Sequence, residues 1–320
     1  MRNVIFALSA LLYSSAVFSQ QKEFEGKIVY KIESKSKTEG ISDKAVRNAL
    51  CLGDSLVVHV RQGNYRRTSA GNDEYYIASR QKVFLKFRGI DTLYYLDYNS
   101  DSTVVLGVSK SGEQKKIAGY DCKSISVKTA SYIAKYFFAP VLYINPEYDK
   151  NNTISRYDAY IRETSSIWLA LNSDYNIYEL SQTCLSVKET PVDMSVFSLP
   201  DLPEKKFSME LITVPPEFTR KGGWIKYIET SLNPDVANKY LKISRRETTA
   251  EQTVIVEFII SEKGRVLNAV VLNKKEVHPR LAEEALRVIS ESPVWRPAMA
   301  LGEKVPSSYT QPVTFQAIKQ

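Results

Sequence analysis

From Phe24 to Phe207 the chain is written in short runs that alternate apolar and polar residues, each closing on a polar or glycine-bearing turn. A period of two puts successive side chains on opposite faces of a strand, so this patterning demands a sheet with one covered face. Residues 24–32, 55–61, 75–79, 81–87 and 92–98 read as its first strands, with later ones at 104–108, 122–127, 137–143, 166–171, 177–180 and 183–188. Turn signals at Gln62-Gly63-Asn64, Gly71-Asn72-Asp73, Arg88-Gly89 and Ser111-Gly112 space them as an antiparallel meander. Only residues 41–50 read as a helix in this part.

Tyrosine recurs here, from Tyr75 and Tyr76 to Tyr175 and Tyr178. An apolar ring with a polar tip suits the wall of a groove for a lipid or peptide. Tyrosine is also a strong strand former at home on half-exposed sheet faces, and that plainer reading accounts for most of them.

A proline-spaced, charged stretch around Pro200, Pro203 and Pro215-Pro216 interrupts the pattern. With 320 residues, more than one core usually organises, it divides the chain: a sheet domain at 22–207, a linker at 208–214 and a second domain at 215–320. Beyond it the periodicity changes. Trp224, Ile225, Tyr227 and Ile228 follow helical spacing, and Pro234 stands in the first turn of another short helix. Val254, Val256, Phe258 and Ile260 alternate inward along a strand, Gly264 supplies the positive φ of a tight turn, and a return strand starts at Val266. Leu281, Ala285, Leu286 and Ile289 stripe a helix over 279–290, and residues 308–315 close the sheet. Trp295 is expected to fill the space between helix and sheet. The fold class is therefore α+β.

Arg2, the apolar run from Val4 to Phe18 and small residues ending at Ser19 read as a cleavable signal peptide over residues 1–19. The run is shorter than the roughly 20 residues of a spanning helix, and no other stretch is long and apolar enough. A periplasmic protein without a membrane span is expected. Export permits disulfides; of Cys51, Cys122 and Cys184, the pair Cys122 and Cys184 is the expected bridge, two buried free thiols being the alternative.

The charge of +7 is spread among interspersed acids, which disfavours nucleic acid. Catalysis is not expected. His59 and His278 fall in different domains, Glu283 and Glu284 are neighbours on a helix and diverge, and no phosphate-loop, nucleophile-elbow, zinc or calcium pattern occurs. Neither a cofactor nor a metal is called for.

Two resemblances extend this reading. Phe24-x-Gly26-x-Ile28-x-Tyr30, Ile117-Ala118-Gly119-Tyr120-Asp121-Cys122 and Val192 to Pro200 resemble motifs of the GLPGLI-like exported Bacteroidetes proteins, although the name-giving motif is missing between Ser165 and Tyr175. The resemblance implies an open, curved half-barrel sheet like that of the lipoprotein carriers LolA and LolB, and with it a hydrophobic ligand. Pro234 and Ala237, Val254, Val256 and Phe258, Gly264 and Val266, Leu281, Ala285 and Leu286, then Pro293, Trp295, Pro297, Ala298, Gly302, Val305, Pro306 and Phe315 together resemble the TonB C-terminal domain. That family adds an extended peptide to its sheet. The expected binding element is therefore the last strand edge, Ser308, Tyr309, Thr310, Gln311, Val313 and Phe315, taking an envelope protein or extended peptide by strand addition. A carrier of lipid in the curved sheet is the alternative.

Overall fold

The computed structural model describes residues 21–244 and 246–319; the expected signal peptide lies outside them. The alternating runs become β1 (Gly26–Ser36), β2 (Ser55–Arg61), β3 (Asn64–Ser69), β4 (Asn72–Ile77), β5 (Lys82–Lys86) and β6 (Leu93–Asp97), then β7 (Val105–Ile117), β8 (Tyr120–Thr129), β9 (Tyr132–Tyr143), β10 (Ser166–Tyr175), β11 (Tyr178–Glu189) and the short β12 (Glu204–Lys206). Among the described residues these twelve form one curved sheet, in the order β12-β6-β5-β4-β3-β2-β1-β11-β10-β9-β8-β7. All pairs are antiparallel except β12 with β6. Two meanders thus grow outward from β1 and β11, which pair along the whole of β1, Gly26 opposite Glu189 to Ser36 opposite Tyr178.

Helix α1 (Asp43–Ala49) follows β1, as its periodicity predicts. Helix α2 (Tyr157–Thr164) was not expected: Tyr157, Tyr160 and Ile161 share one helical face, but aromatic residues of this kind read equally as strand. Tyr160 and Ile161 are wholly buried against the sheet, with Tyr136 stacked 4.2 Å from Tyr160. Strand β3 was also unforeseen, because it carries Arg66 and Arg67 side by side. Its charges are answered across the ladder, Arg66 by Asp73 at 3.0 Å and Arg67 by Glu74 at 2.8 Å. Ser111-Gly112 does not turn the chain: β7 continues through it with an irregular register between Ser111 and Gln114, and the reversal falls at Ala118-Gly119. Residues 177–188 hold one strand rather than two.

Strand order at the next junction is equally compact. Phe207 packs on Phe87 at 5.8 Å and on Tyr94 at 5.9 Å, and Ile212 is buried in the same cluster. Residues 208–214, expected as a linker, are anchored at buried Ile212, and β13 (Thr213–Val214) pairs with β16 (Ala298–Ala300). No free tether separates the two cores.

The second core holds α3 (Gly223–Ser231), α4 (Pro234–Tyr240), β14 (Thr249–Ile260), β15 (Val266–Val271), α5 (Pro279–Ser290), β16, β17 (Glu303–Val305) and β18 (Ser307–Ile318). Its main sheet runs β15-β14-β18, with Val254, Val256, Phe258, Val313 and Phe315 facing Leu281, Ala285, Val288 and Ile289 of α5. Pro279 occupies the first turn of α5, where its missing N–H costs nothing, and His278 Nδ1 accepts from the Arg280 N–H at 3.2 Å. Glu284 is turned inward, away from exposed Glu283; it accepts from the Asn233 N–H at 2.8 Å and from Arg287 at 2.7 Å, fastening α5 to the start of α4. Helix α1 reaches this core: Asn48 donates to Glu303 at 3.2 Å, and Ala49 packs on Ala298, Ala300 and Val305.

Trp295, 4% exposed, closes the gap between helices and sheet among Trp224, Phe218, Phe258 and Tyr309. Gly264 holds it there. At φ +76° its carbonyl accepts from the Trp295 N–H at 2.8 Å, and a Cβ at this position would stand 1.9 Å from the Trp295 carbonyl oxygen. A left-handed backbone costs a side chain about 1–2 kcal/mol before that clash is counted. Gly264→Ala should therefore destabilise the protein by more than about 2 kcal/mol in denaturant titration, with a loss of the Trp295 environment in near-ultraviolet dichroism.

Candidate functional site

Strand β18 pairs with β14 on one side, and no strand of the described residues pairs with it on the other. Lys319 donates its N–H to the Thr248 carbonyl at 2.8 Å, one step beyond the pair Thr249 and Ile318. Alternation along that unbroken register turns the odd-numbered N–H groups of β18 toward β14 and the even-numbered ones outward. Pro312 sits at an outward position, as a proline in an edge strand must. The open edge thus offers N–H donors at Ser308, Thr310, Thr314 and Gln316, with a gap between the two pairs. Gln311 Nε2 donates to the Pro312 carbonyl at 2.6 Å, occupying an acceptor inside that gap. Helix α4 lies alongside.

The six expected residues therefore divide. Ser308 and Thr310 are exposed and offer outward backbone. Gln311, Val313 and Phe315 are buried core side chains, Gln311 accepting from Trp224 Nε1 at 2.8 Å, and Tyr309 is half-buried on Phe258 and Trp295. Their side chains fix the strand; they do not face a partner. Thr314 and Gln316, which do carry outward donors, follow from the same alternation once Pro312 gives its phase.

A second site lies on the covered face of the large sheet, where the segment from Pro146 to Arg156 and α2 cross the strands. It is a cavity of about 140 Å³ walled by Tyr30, Tyr65, Tyr136, Tyr157 and Trp168, with Arg67, Asp149, Asn152 and Gln182 among them. Gly63 admits this crossing: it lies in the β2–β3 turn at φ +71°, and a Cβ there would come within 2.3 Å of the Tyr148 ring. Tyr65 Oη donates to Asp149 Oδ2 at 2.9 Å, Asn152 Nδ2 donates to Asp149 Oδ1 at 3.1 Å, and Thr153 is tied to the Tyr98 carbonyl at 2.8 Å. Arg67 donates to Glu74 and, at 3.0 Å, to Tyr76 Oη. Two buried acceptors, Gln182 Oε1 and Asn152 Oδ1, have no partner. Gln182 shares the inward phase of Leu180 and Cys184 on β11, so a polar residue in an apolar register was the one sequence signal for this site. Arg67 and Asp149 gave none, because their burial is set by distant strands.

The bridge between Cys122 and Cys184 is not formed; both thiols are buried and free. Strands β9 and β10 stand between β8 and β11. Three strand spacings amount to roughly 14 Å along the sheet, against the roughly 5.5–6 Å between Cα atoms that a disulfide requires. Burial pushes the Cys184 thiol up to about 11 and raises that of Cys122, so neither supplies much thiolate.

Burial lifts the Asp149 carboxyl from its ordinary 3.8 to about 6, against the pull of its bonds from Asn152 and Tyr65. The folded state then holds this proton more tightly than the unfolded chain does, so stability falls as pH rises through this window and levels off above it. Asp149→Asn should remove that contribution: denaturant titrations across pH 4–7 should show wild type losing up to about 2–3 kcal/mol relative to the variant, with the two converging at low pH.

Solved structures similar to this chain include PNGF-II in its P21 crystal form, 10% identical with a TM-score of 0.35, covering 73% of this chain and 44% of that one. PNGF-II in its C2 form gives 14% identity, a TM-score of 0.33, and coverage of 72% and 43%; this chain spans less than half of either. The Mycobacterium tuberculosis lipoprotein LppX is 13% identical with a TM-score of 0.27, covering 53% of this chain and 89% of its own. Among curated protein sequences nothing matches. Residues 240–317, which hold β14, β15, α5 and nearly all of β18, match the family described as Gram-negative bacterial TonB protein C-terminal.

Proposed function

We propose that this chain is a non-catalytic binding protein of the periplasm that captures an extended segment of an envelope protein as an added strand on β18. The open edge of β18, with donors at Ser308, Thr310, Thr314 and Gln316, carries this reading, since unpaired backbone groups in a row are what strand addition needs. Pro312 has a second effect. It shortens each run of donors and so guards the edge against pairing with another copy of itself.

The reading as an exported protein rests on the pattern of residues 1–19, and no helix of the described residues is long and apolar enough to cross a membrane. Absence of catalysis is part of the proposal and draws on the histidines: His278 is engaged in capping α5 and stacks 4.9 Å from Tyr240, while His59 lies in β2 of the other core. A second reading, carriage of a ligand on the covered face of the large sheet, is favoured by the cavity there.

Thr310→Pro and Thr314→Pro each delete an outward donor and leave the odd-numbered ladder to β14 intact. Their stability should stay within about 1 kcal/mol of wild type, because proline is tolerated where the N–H faces away from the sheet. Pull-down from envelope extract should recover a partner with the full chain, lose it without residues 214–320, and recover several-fold less with the double proline variant. Undiminished capture by a folded double variant would reject strand addition at this edge.

A further inference from the structure

The chain between β9 and α2 crosses the large sheet as a strap with two fixed ends. Ile144, wholly buried, donates its N–H to the Ser165 carbonyl at 2.9 Å, and beyond Arg156 helix α2 is pinned by buried Tyr160 and Ile161. Between these points Asp149, Asn152, Ile154 and Ser155 supply part of the cavity wall, and the strands supply the rest. Polar bonds hold the strap to the sheet side: Tyr65 Oη donates to Asp149, Gln81 Nε2 donates to the Tyr148 carbonyl at 3.4 Å, and Thr153 donates both its N–H and its hydroxyl to the Tyr98 carbonyl.

Lying down in this way costs the strap in three places. Asp149 is wholly buried, and no cation pairs with it among the described residues. The titratable groups that face it are phenols: Tyr65 of β3, Tyr76 of β4, Tyr98 beyond β6 and Tyr157 of α2, all of which burial keeps protonated at neutral pH. Arg67, the cation in the cavity wall, is engaged by Glu74 and Tyr76. A carboxylate sealed from water without a counter-charge is held in place only by its two hydrogen bonds. Asn152 Oδ1, on the strap itself, is buried without a partner, and contact with water would satisfy it. Where the strap meets α2, Ser155 and Arg156 adopt left-handed φ of 51° and 53°. Strain in consecutive non-glycine residues is of the kind that gathers at switch regions.

We propose that residues 145–156 are a pH-gated strap over the cavity, closed while Asp149 is protonated and lifting from the sheet when Asp149 is ionised. The proposal deepens the reading that this face holds a ligand, because it names what governs access to the cavity. It concerns the strap alone, so it can be measured with no ligand present, and it can fail while that reading stands.

A lifted strap returns Asp149 to water and to its ordinary 3.8, against about 6 when closed. The closed form therefore binds the proton more tightly, and opening becomes easier as pH rises from about 4 to about 6, by up to about a hundredfold, and then levels off. Residue-resolved hydrogen exchange on the full mature chain between pH 4 and pH 7.5, corrected for the pH dependence of the chemical step, reads this equilibrium directly. The amides of Asp149, Asn152, Thr153 and Arg156 should be less protected than those of β1 and β11 at every pH, and their protection should fall by up to about a hundredfold across the window. In Asp149→Asn it should stay constant within about twofold. Tyr65→Phe, which leaves the ring and removes a donor to the carboxylate, should lower strap protection at pH 7 by at least about fivefold and by less at pH 4, and it serves as the variant if Asp149→Asn does not fold. Strap amides as protected as those of β1 and β11 at every pH would show that the strap opens only with the whole core and would overturn the proposal. Protection independent of pH in wild type, or an equal fall in Asp149→Asn, would overturn Asp149 as the trigger.

Discussion

The pairing of β1 with β11 is the contact on which the larger core depends. It joins segments separated by most of the domain, and each meander would end in an open edge without it. Its register also builds the cavity. Ile32 stands opposite Gln182 and Tyr30 opposite Cys184, and the bulge here leaves Leu185 of β11 as the extra residue while Ile28, Tyr30 and Ile32 keep one inward phase. A one-residue slip would send Gln182 to the outer face and out of the cavity wall.

Local patterning was readable wherever a single element decides its own fate. Helix α5 spans the predicted 279–290 because its apolar stripe, its leading proline and its His278 cap agree. Turns at Gln62-Gly63 and Gly71 were legible for the same reason. Strand β3 was not, because Arg66 and Arg67 look like a solvated loop until Asp73 and Glu74 stand opposite. Helix α2 was lost to ambiguity: its aromatic face serves strand and helix alike, and burial against β9 decides. Residues 208–214 read as a linker from their prolines and charges, yet Phe207 and Ile212 find apolar partners on β5 and β6 that only the folded sheet presents.

The two candidate sites differ in the same way. Strand β18 was placed from sequence, and its inward residues Val313 and Phe315 belong to an alternation visible there; what sequence left open was which backbone groups point outward. Pro312 and the Lys319 to Thr248 bond settle that phase. The cavity draws on β1, β2, β3, β4, β9, β10 and β11 together with the chain around Asp149, so no stretch of sequence announces it. A polar Gln182 between Leu180 and Cys184 was its one local trace.

The two proposed sites would also read ligands by different physics, one through backbone groups and the other through side chains. An added strand is held by backbone groups, and side-chain chemistry enters only as selectivity. The cavity is lined by side chains rather than strand backbone, with Gln182 on β11 among them. Contact between the cores runs through α1, which touches β17 by way of Asn48 and Ala49, through the Ser42 N–H donated to Glu262 in the β14–β15 turn, and through the Phe207 to Val214 crossing, while among the described residues β18 pairs only with β14. Neither α1 nor the crossing lines the cavity. Coupling between two sites requires an element with two arrangements that both ligands bias, and the edge is instead held by a twelve-residue ladder to β14. On the proposed reading, capture of a chain segment at β18 would not depend on occupancy of the cavity.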